Sequence, residues 1–129
     1  MSNNNIIWLD DERNPKNRIW RDYIQAHAGD GEVIWVKSRA EFEATVLHLG
    51  KGGFKAIFFD NDLGSIEVGQ EGRHCFWWLD ELIRTEPGWH EFKCFVQSSN
   101  PVASIQMRDG IERLYNFWHR QEQDNESSR

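Results

Sequence analysis

Four short apolar runs, each followed by a segment with helical spacing, constrain this fold more than any other feature of the sequence. The runs lie at residues 5–9, 33–36, 56–59 and 92–97. Short, mostly apolar runs that stop abruptly at polar residues are typical of strands buried on both faces of a sheet. Strands that alternate with helices predict a parallel sheet with right-handed crossovers and helices on both faces. The sequence therefore predicts an α/β domain of three layers.

The helical segments are bounded by residues that typically begin or end helices. Spacing of the apolar residues predicts helices at residues 17–27, 39–49, 74–84 and 102–118. Ser38 is a typical N-cap for the second of these helices. If the first strand is central, the expected strand order is 2-1-3-4.

Length and composition favour a single domain. A chain of 129 residues is large enough for one hydrophobic core, and it contains no internal linker or repeat. We expect the α/β domain to span residues 1–118. The polar residues 119–129 are expected to form a frayed C-terminal tail.

The charge and the cysteines exclude several classes of protein. The chain has 15 basic and 21 acidic residues, a formal net charge of −6 and no long basic block, so we expect no binding to an extended nucleic-acid duplex. Cys75 and Cys94 fit neither a zinc site nor a disulfide framework, which favours a reducing, cytoplasmic location. No leader and no long apolar run are present, so we expect no membrane association.

Two of the predicted strands run directly into carboxylates. Asp10 and Asp11 follow the first strand, and Asp60 and Asp62 follow the third. With strand order 2-1-3-4 these strand ends are neighbours at the point where strand order reverses, which is the usual place of the functional crevice. Clustered carboxylates repel one another unless a cation lies among them, and Mg²⁺ is a natural occupant. The alternative is that these residues only form turns and helix caps.

A candidate anion site follows the fourth strand. Ser98, Ser99 and Asn100 precede Pro101, a residue that is favoured at the first position of a helix. The free amide groups of a helix start attract anions. We therefore expect a small phosphorylated ligand whose phosphoryl group lies between the metal and this helix start.

Four segments of the chain together resemble one family, the cyclic-phosphate processing receiver domains, which are divergent relatives of the response-regulator receiver fold. The segments are LDDERNP (9–15), FDNDLG (59–64), residues 72–78 and VQSSNPVASIQM (96–107). They occur in the family's order and extend the resemblance over about residues 5–115. The resemblance implies a truncated receiver-like or flavodoxin-like fold with a four-stranded parallel sheet.

The resemblance also implies roles for individual residues. Asp10 and Asp11 resemble the receiver's acidic pair that binds Mg²⁺, and Asp60 resembles its phospho-accepting aspartate. Ser98 resembles the hydroxyl residue that ends the fourth receiver strand. A fifth strand with its lysine has no counterpart in the four predicted units, so ordinary phosphorelay chemistry is not expected.

The chain departs from the family pattern at two positions. The family typically reads Asp-His-Asp-Leu-Gly and His-Ser-x-Asn-Pro, whereas Asn61 and Gln97 stand here in place of the two histidines. If those histidines are the general acid and base, this chain has lost groups that titrate near neutral pH. It would then bind rather than cleave its ligand, or use His74 or a metal-bound water instead.

Three functions follow from these observations. The first is an Mg²⁺- or Mn²⁺-dependent phosphoesterase that acts on a cyclic nucleotide or a 2′,3′-cyclic phosphate end, attacked by Asp60 or a metal-activated water. Its metal ligands would be Asp10, Asp11 and Asp60, its proton carriers Asp62 or His74, and its phosphate contacts Ser98, Ser99 and Asn100. The second is a non-catalytic module that binds a phosphorylated ligand or a protein partner. The third is a receiver-like switch phosphorylated on Asp60.

Overall fold

The computed structural model describes residues 4–127, and within them four strands alternate with four helices. The elements are β1 (Asn5–Leu9), α1 (Arg18–Ala28), β2 (Glu32–Val36), α2 (Arg39–Leu49), β3 (Ala56–Phe59), α3 (Gly72–Thr85), β4 (Lys93–Val96) and α4 (Pro101–Ser127). All strand pairs are parallel and the order is β2-β1-β3-β4. The predicted α/β fold and the predicted strand order are confirmed.

The register of the sheet brings the ends of the strands to one level. Leu9 at the end of β1 lies opposite Val36 of β2 and Phe59 of β3, and Phe59 in turn lies opposite Val96 of β4. The residue that follows each strand therefore emerges at the same edge of the sheet. Because the connections to the helices start from this edge, polar residues placed there become neighbours.

The two faces of the sheet are covered unequally. On one face, Leu9 and Phe59 belong to a core that includes Phe42 of α2, Phe76 of α3 and Met107 of α4. On the other face, a smaller core contains Trp8 and Phe58 of the sheet together with Ile24 of α1. Burial of each large side chain contributes about 1.5–3 kcal/mol, so both faces stabilise the strands whose ends carry the polar residues.

The last helix is longer than the spacing of its apolar residues predicts. The expected end near Trp118 was wrong, because α4 extends to Ser127. Residues 119–127 contain neither Gly nor Pro, and their Arg, Gln and Glu side chains favour helix, so no local signal ends the helix at Trp118. Fraying of the tail stays a prediction, and residues 128–129 lie outside the described part of the chain.

None of the helices within residues 4–127 is both long enough and apolar enough to cross a membrane.

Candidate functional site

Backbone hydrogen bonds continue the sheet by one residue beyond three of the strands. The amide of Asp10 donates to the carbonyl oxygen of Val36 (3.0 Å), and the amide of Asp60 donates to that of Leu9 (2.9 Å). The amide of Gln97 donates to the carbonyl oxygen of Phe59 (3.0 Å). Asp10, Asp60 and Gln97 are thereby held side by side at the carboxyl edge, where the sequence predicts the functional crevice.

Three of the predicted carboxylates converge at this edge. Asp10, Asp11 and Asp60 each offer one oxygen, and these oxygens all lie within 4.8 Å of one another. Asp10 is fully buried and Asp60 is only 6% exposed, while Asp11 is half-buried. The structure thus brings together the residues predicted to be metal ligands, and their binding of a metal stays a prediction.

Burial and mutual repulsion change the acidity of this cluster. The pKa of Asp60 is raised to about 7, first by burial and then by the negative charge of Asp10, although the positive charge of Arg13 lowers it. The pKa of Asp11 is also raised, mainly by burial and further by the neighbouring acidic residues Glu12, Asp10 and Asp62. Ionisation of these carboxylates therefore costs folding free energy, a cost that a nearby cation would lower.

Arg13 is the residue of this site that the sequence analysis missed. Its Nη1 donates to Oδ2 of Asp10 (3.1 Å) and lies 3.5 Å from Oδ1 of Asp60. The same nitrogen donates to the backbone carbonyl of Gln97 (3.0 Å), and the guanidinium lies over the ring of Trp20, 5.2 Å from its centroid. The arginine three residues after Asp10 in LDDER was a usable signal, but the adjoining Asn-Pro makes the segment resemble an ordinary turn.

Asp10 also acts as the turn former that the alternative interpretation expected. Its Oδ1 accepts the backbone N–H groups of Glu12 (3.0 Å) and Arg13 (2.9 Å). The indole N–H of Trp35 donates to the backbone carbonyl of Asp10 (2.6 Å). Asp10 therefore shapes the loop after β1 and at the same time contributes its charge to the cluster.

The loop after β3 packs against Asp11. Gly64 adopts a positive φ of 74°, and a Cβ at this position would lie 2.8 Å from Oδ2 of Asp11. The exposed Asp62 accepts the amide N–H of Gly64 at its Oδ1 (3.2 Å). Asp62 lies outside the group of three converging carboxylates, and its negative charge raises the pKa of Asp11. Its role in proton transfer is not tested by this arrangement and stays a prediction.

His74 lies in the first turn of α3 and takes part in capping this helix. Its Nδ1 accepts the backbone N–H of Glu71 (3.2 Å), and the Glu71 carboxylate accepts the backbone N–H of His74, which together form a capping box. The ring also meets Trp77 edge to face. Within the described residues, no hydrogen bond or ion pair connects His74 with the three carboxylates. Its catalytic role stays a prediction.

Asn61 joins the end of β3 to the start of α3. It is 2% exposed, and its side chain donates to the Glu71 carboxylate (2.9 Å) and accepts the backbone N–H of Arg73 (3.1 Å). Its backbone N–H donates to Oδ1 of Asp60 (2.9 Å), and its carbonyl accepts the amide of Gly72 (2.8 Å). At the first of the two histidine positions, the side-chain amide thus bonds to the start of α3, while the backbone N–H of the same residue positions Asp60.

Gln97 occupies the second histidine position beside Arg13. Its side-chain nitrogen donates to the backbone carbonyl of Leu9 (3.2 Å). Its Oε1 is buried and has no hydrogen-bond partner within the described part of the chain. An amide at this position provides hydrogen bonds to the sheet edge, but no group that titrates near neutral pH.

The candidate phosphate contacts form the entry to α4. Asn100 is its N-cap, because its Oδ1 accepts the N–H of Ala103 (3.1 Å), and Pro101 is the first helical residue as predicted. Oγ of Ser98 accepts the N–H of Asn100 (3.1 Å). Ser99 is exposed. These residues surround a helix start near Gln97, and their contact with a phosphate stays a prediction.

The carboxylate cluster fits a divalent cation. Ligands about 2.1 Å from Mg²⁺ in an octahedron are about 3 to 4 Å apart, so oxygens within 4.8 Å of one another need only small side-chain movements to bind it. A cation there would replace the charge balance that Arg13 now supplies. The donors are all oxygens, which suits Mg²⁺ or Mn²⁺ rather than a metal that prefers sulfur or imidazole.

Comparison with known proteins identified one family. A family model described as "Cyclic-phosphate processing Receiver domain" matches residues 5–113, a segment that contains every candidate site residue named above. No curated protein and no solved structure matches the chain.

Proposed function

This chain belongs to the cyclic-phosphate processing receiver domain family, and from that membership we propose that it is a divalent-metal-dependent phosphoesterase that opens a cyclic phosphate. The substrate would be a cyclic nucleotide or a 2′,3′-cyclic phosphate end. The observation that carries the proposal is the convergence of Asp10, Asp11 and Asp60 at the strand ends, where strand order reverses.

The carboxylates support the metal part of the proposal. Asp10, Asp11 and Asp60 would hold Mg²⁺ or Mn²⁺. Once bound, such a cation polarises a phosphoryl oxygen and offsets the negative charge that develops on it. Asn61 keeps Asp60 in place through its backbone N–H, so the chain orients this ligand before any metal arrives.

Hydrolysis of a cyclic phosphate is a simple addition of water. The water oxygen forms a bond to phosphorus, one ring P–O bond breaks, and one proton of the water passes to the leaving oxygen. We assign uptake of the water proton to Asp62, because its carboxylate is exposed beside Asp11, whereas Nδ1 of His74 is engaged in the cap of α3. The start of α4 behind Ser98, Ser99 and Asn100 would orient the phosphoryl group.

A hydrolysis assay tests this proposal. The purified protein is incubated with 3′,5′- and 2′,3′-cyclic mononucleotides, cyclic dinucleotides and cyclic-ended RNA, each with Mg²⁺ or Mn²⁺, and products are separated by chromatography. We expect turnover of at least one substrate, lost at least about 100-fold in Asp60→Asn. Asp22→Asn, the same change at an exposed residue of α1, serves as the control and retains activity. No turnover with either metal would contradict the proposal.

A second candidate function is a non-catalytic module that binds a phosphorylated ligand in the same crevice. The observation that favours it is the use of Asn61 and Gln97 as hydrogen-bonded amides at the positions where the family has histidines. Isothermal titration with the same ligands distinguishes the two functions. Saturable binding without product would support the module, and turnover that depends on Asp60 would exclude it.

A further inference from the structure

We propose that Arg13 is the counter-ion of Asp10 and Asp60 when no metal is bound. When a divalent cation binds, the guanidinium of Arg13 would leave these carboxylates and contact the phosphate. The inference deepens the proposed function and rests on it for the identity of the two ligands. It assigns to Arg13 a role in setting both the affinity for the metal and the affinity for the phosphate.

One nitrogen of Arg13 lies close to two of the candidate metal ligands. Nη1 of Arg13 lies 3.1 Å from Oδ2 of Asp10 and 3.5 Å from Oδ1 of Asp60. These are two of the three side chains whose oxygens form the candidate metal cluster. The guanidinium therefore lies where a cation bridging the two carboxylates would be attracted.

The hydrogen bonds of Asp10 show why the guanidinium and a metal compete. Oδ1 of Asp10 already accepts two backbone N–H groups, from Glu12 and Arg13, and Oδ2 accepts the guanidinium. A divalent cation that binds Oδ2 would compete with the guanidinium for the electron density of this oxygen and for the space beside it. Two positive charges within a few ångströms also repel each other, and the burial of Asp10 and Asp60 strengthens that repulsion. Metal binding should therefore displace the side chain of Arg13.

The surroundings of Arg13 define where the displaced side chain can go. Its backbone is anchored, because its amide donates to Asp10 (2.9 Å) and its carbonyl accepts the indole N–H of Trp8 (2.8 Å). Its side chain is 28% exposed, lies over Trp20 and donates to the carbonyl of Gln97. Gln97 immediately precedes the Ser98–Asn100 loop, so the released guanidinium stays beside the expected phosphate.

The chemistry of the guanidinium suits this second position. Its planar set of N–H donors forms paired hydrogen bonds with phosphate oxygens, which an ammonium group cannot match. A bound metal and a bound phosphate would then share the crevice with Arg13, and each would favour the arrangement in which the arginine contacts the phosphate. The crevice would bind metal and phosphate cooperatively through one side chain.

Titration of the metal tests the first half of the inference. Mg²⁺ is titrated into the wild type, Arg13→Gln and the control Arg18→Gln, which removes an equal charge from an exposed position of α1. Tryptophan fluorescence or calorimetry at constant ionic strength gives the dissociation constants. We expect Arg13→Gln to bind Mg²⁺ at least about tenfold more tightly than wild type, because the competing charge is gone. The control should change less than twofold.

Titration of phosphate tests the second half. At saturating Mg²⁺, inorganic phosphate should bind Arg13→Gln at least about tenfold more weakly than wild type, because a charge-assisted pair of hydrogen bonds is lost. The two effects of one substitution thus have opposite signs. General loss of structure would weaken both ligands and cannot reproduce this result. An unchanged or weaker Mg²⁺ affinity in Arg13→Gln would overturn the inference, as would unchanged phosphate binding.

A second variant covers the case in which Arg13→Gln does not fold. Arg13→Lys keeps the positive charge between the carboxylates but lacks the planar set of donors. Its Mg²⁺ affinity should therefore stay close to that of wild type, whereas its phosphate binding should be weaker, and unchanged phosphate binding would overturn the inference. If no variant and no wild-type sample binds Mg²⁺, the metal site itself is absent and the proposed function fails with it. Equal Mg²⁺ binding in wild type and Arg13→Gln rejects only the role of Arg13.

Discussion

Removal of the Asp60 charge should stabilise the metal-free fold and change its dependence on pH. Asp60 is 6% exposed, and burial together with the charge of Asp10 raises its pKa from 3.8 to about 7. Between about pH 4 and pH 7 the folded protein therefore binds a proton that the unfolded chain releases. The contribution to stability is complete below about pH 4 and is lost as the pH rises to about 7. The free energy of unfolding should thus fall over this range.

The structure sets the size of the effect. A pKa of about 7 instead of 3.8 corresponds to at most about 4 kcal/mol at a pH above both values. Asparagine has nearly the same shape as aspartate and keeps the oxygen that accepts the amide of Asn61. We therefore expect Asp60→Asn to raise the free energy of unfolding at pH 8 by about 2–4 kcal/mol. For a chain of this size, that corresponds to an increase in Tm of about 6 °C or more.

Urea unfolding in EDTA, followed by tryptophan fluorescence from pH 5 to pH 8.5, measures this effect. The difference between wild type and Asp60→Asn isolates Asp60, because the other titrating groups are common to both proteins. Asp22→Asn, at an exposed carboxylate, should leave the free energy of unfolding within about 0.5 kcal/mol of wild type. If Asp60→Asn is no more stable than wild type at pH 8, or if the difference does not grow from pH 5 to pH 8, the reasoning is refuted.

Three further predictions concern the same edge of the sheet. Mg²⁺ at about 100 times its dissociation constant should raise the free energy of unfolding of wild type by about 2.7 kcal/mol, measured by urea unfolding. EDTA should reverse the gain, and an equal gain in Asp60→Asn would contradict the assignment of that residue as a ligand. Asn61→Ala should lower the free energy of unfolding by about 2–3 kcal/mol, because buried hydrogen-bonding groups lose their partners. A loss below about 0.5 kcal/mol would argue against the role of Asn61 in joining β3 to α3. Gly64→Ala should lower the Tm and weaken Mg²⁺ binding in a calorimetric titration, because a Cβ at positive φ would meet the Asp11 carboxylate. An unchanged Tm and an unchanged Mg²⁺ affinity would show that the loop moves aside freely.

The fold was largely predictable because its signals are local. The apolar run at residues 56–59 has the bounds of β3, and the helix expected at residues 39–49 has those of α2, with Ser38 as its N-cap. Apolar periodicity, helix capping and the polar residues that end strands act within a few positions of the sequence. They can therefore be interpreted without knowledge of the tertiary structure. The end of α4 was wrong because residues 119–127 contain no local stop signal.

The meeting of Asp10 and Asp60 could also be predicted from the sequence. In a parallel sheet whose strand order reverses at β1 and β3, the ends of these strands must be neighbours, whatever the side chains are. The pattern of strands and helices therefore determined where the acidic crevice lies. It did not separate Asp62, which lies outside the converging group, from Asp10, Asp11 and Asp60.

Only the tertiary structure decided how those charges are balanced. The contact between Arg13 and the carbonyl of Gln97 joins residues 84 positions apart, and no periodicity or motif encodes it. The raised pKa of Asp60 likewise depends on burial by several elements and on distances to Asp10 and Arg13. The bonds of Asn61 could not be predicted either, because its partners Glu71 and Arg73 at the start of α3 become neighbours only after the chain has folded. The sequence by itself determined the elements and the edge at which polar residues meet, whereas electrostatic balance depends on distance in space and was decided by packing.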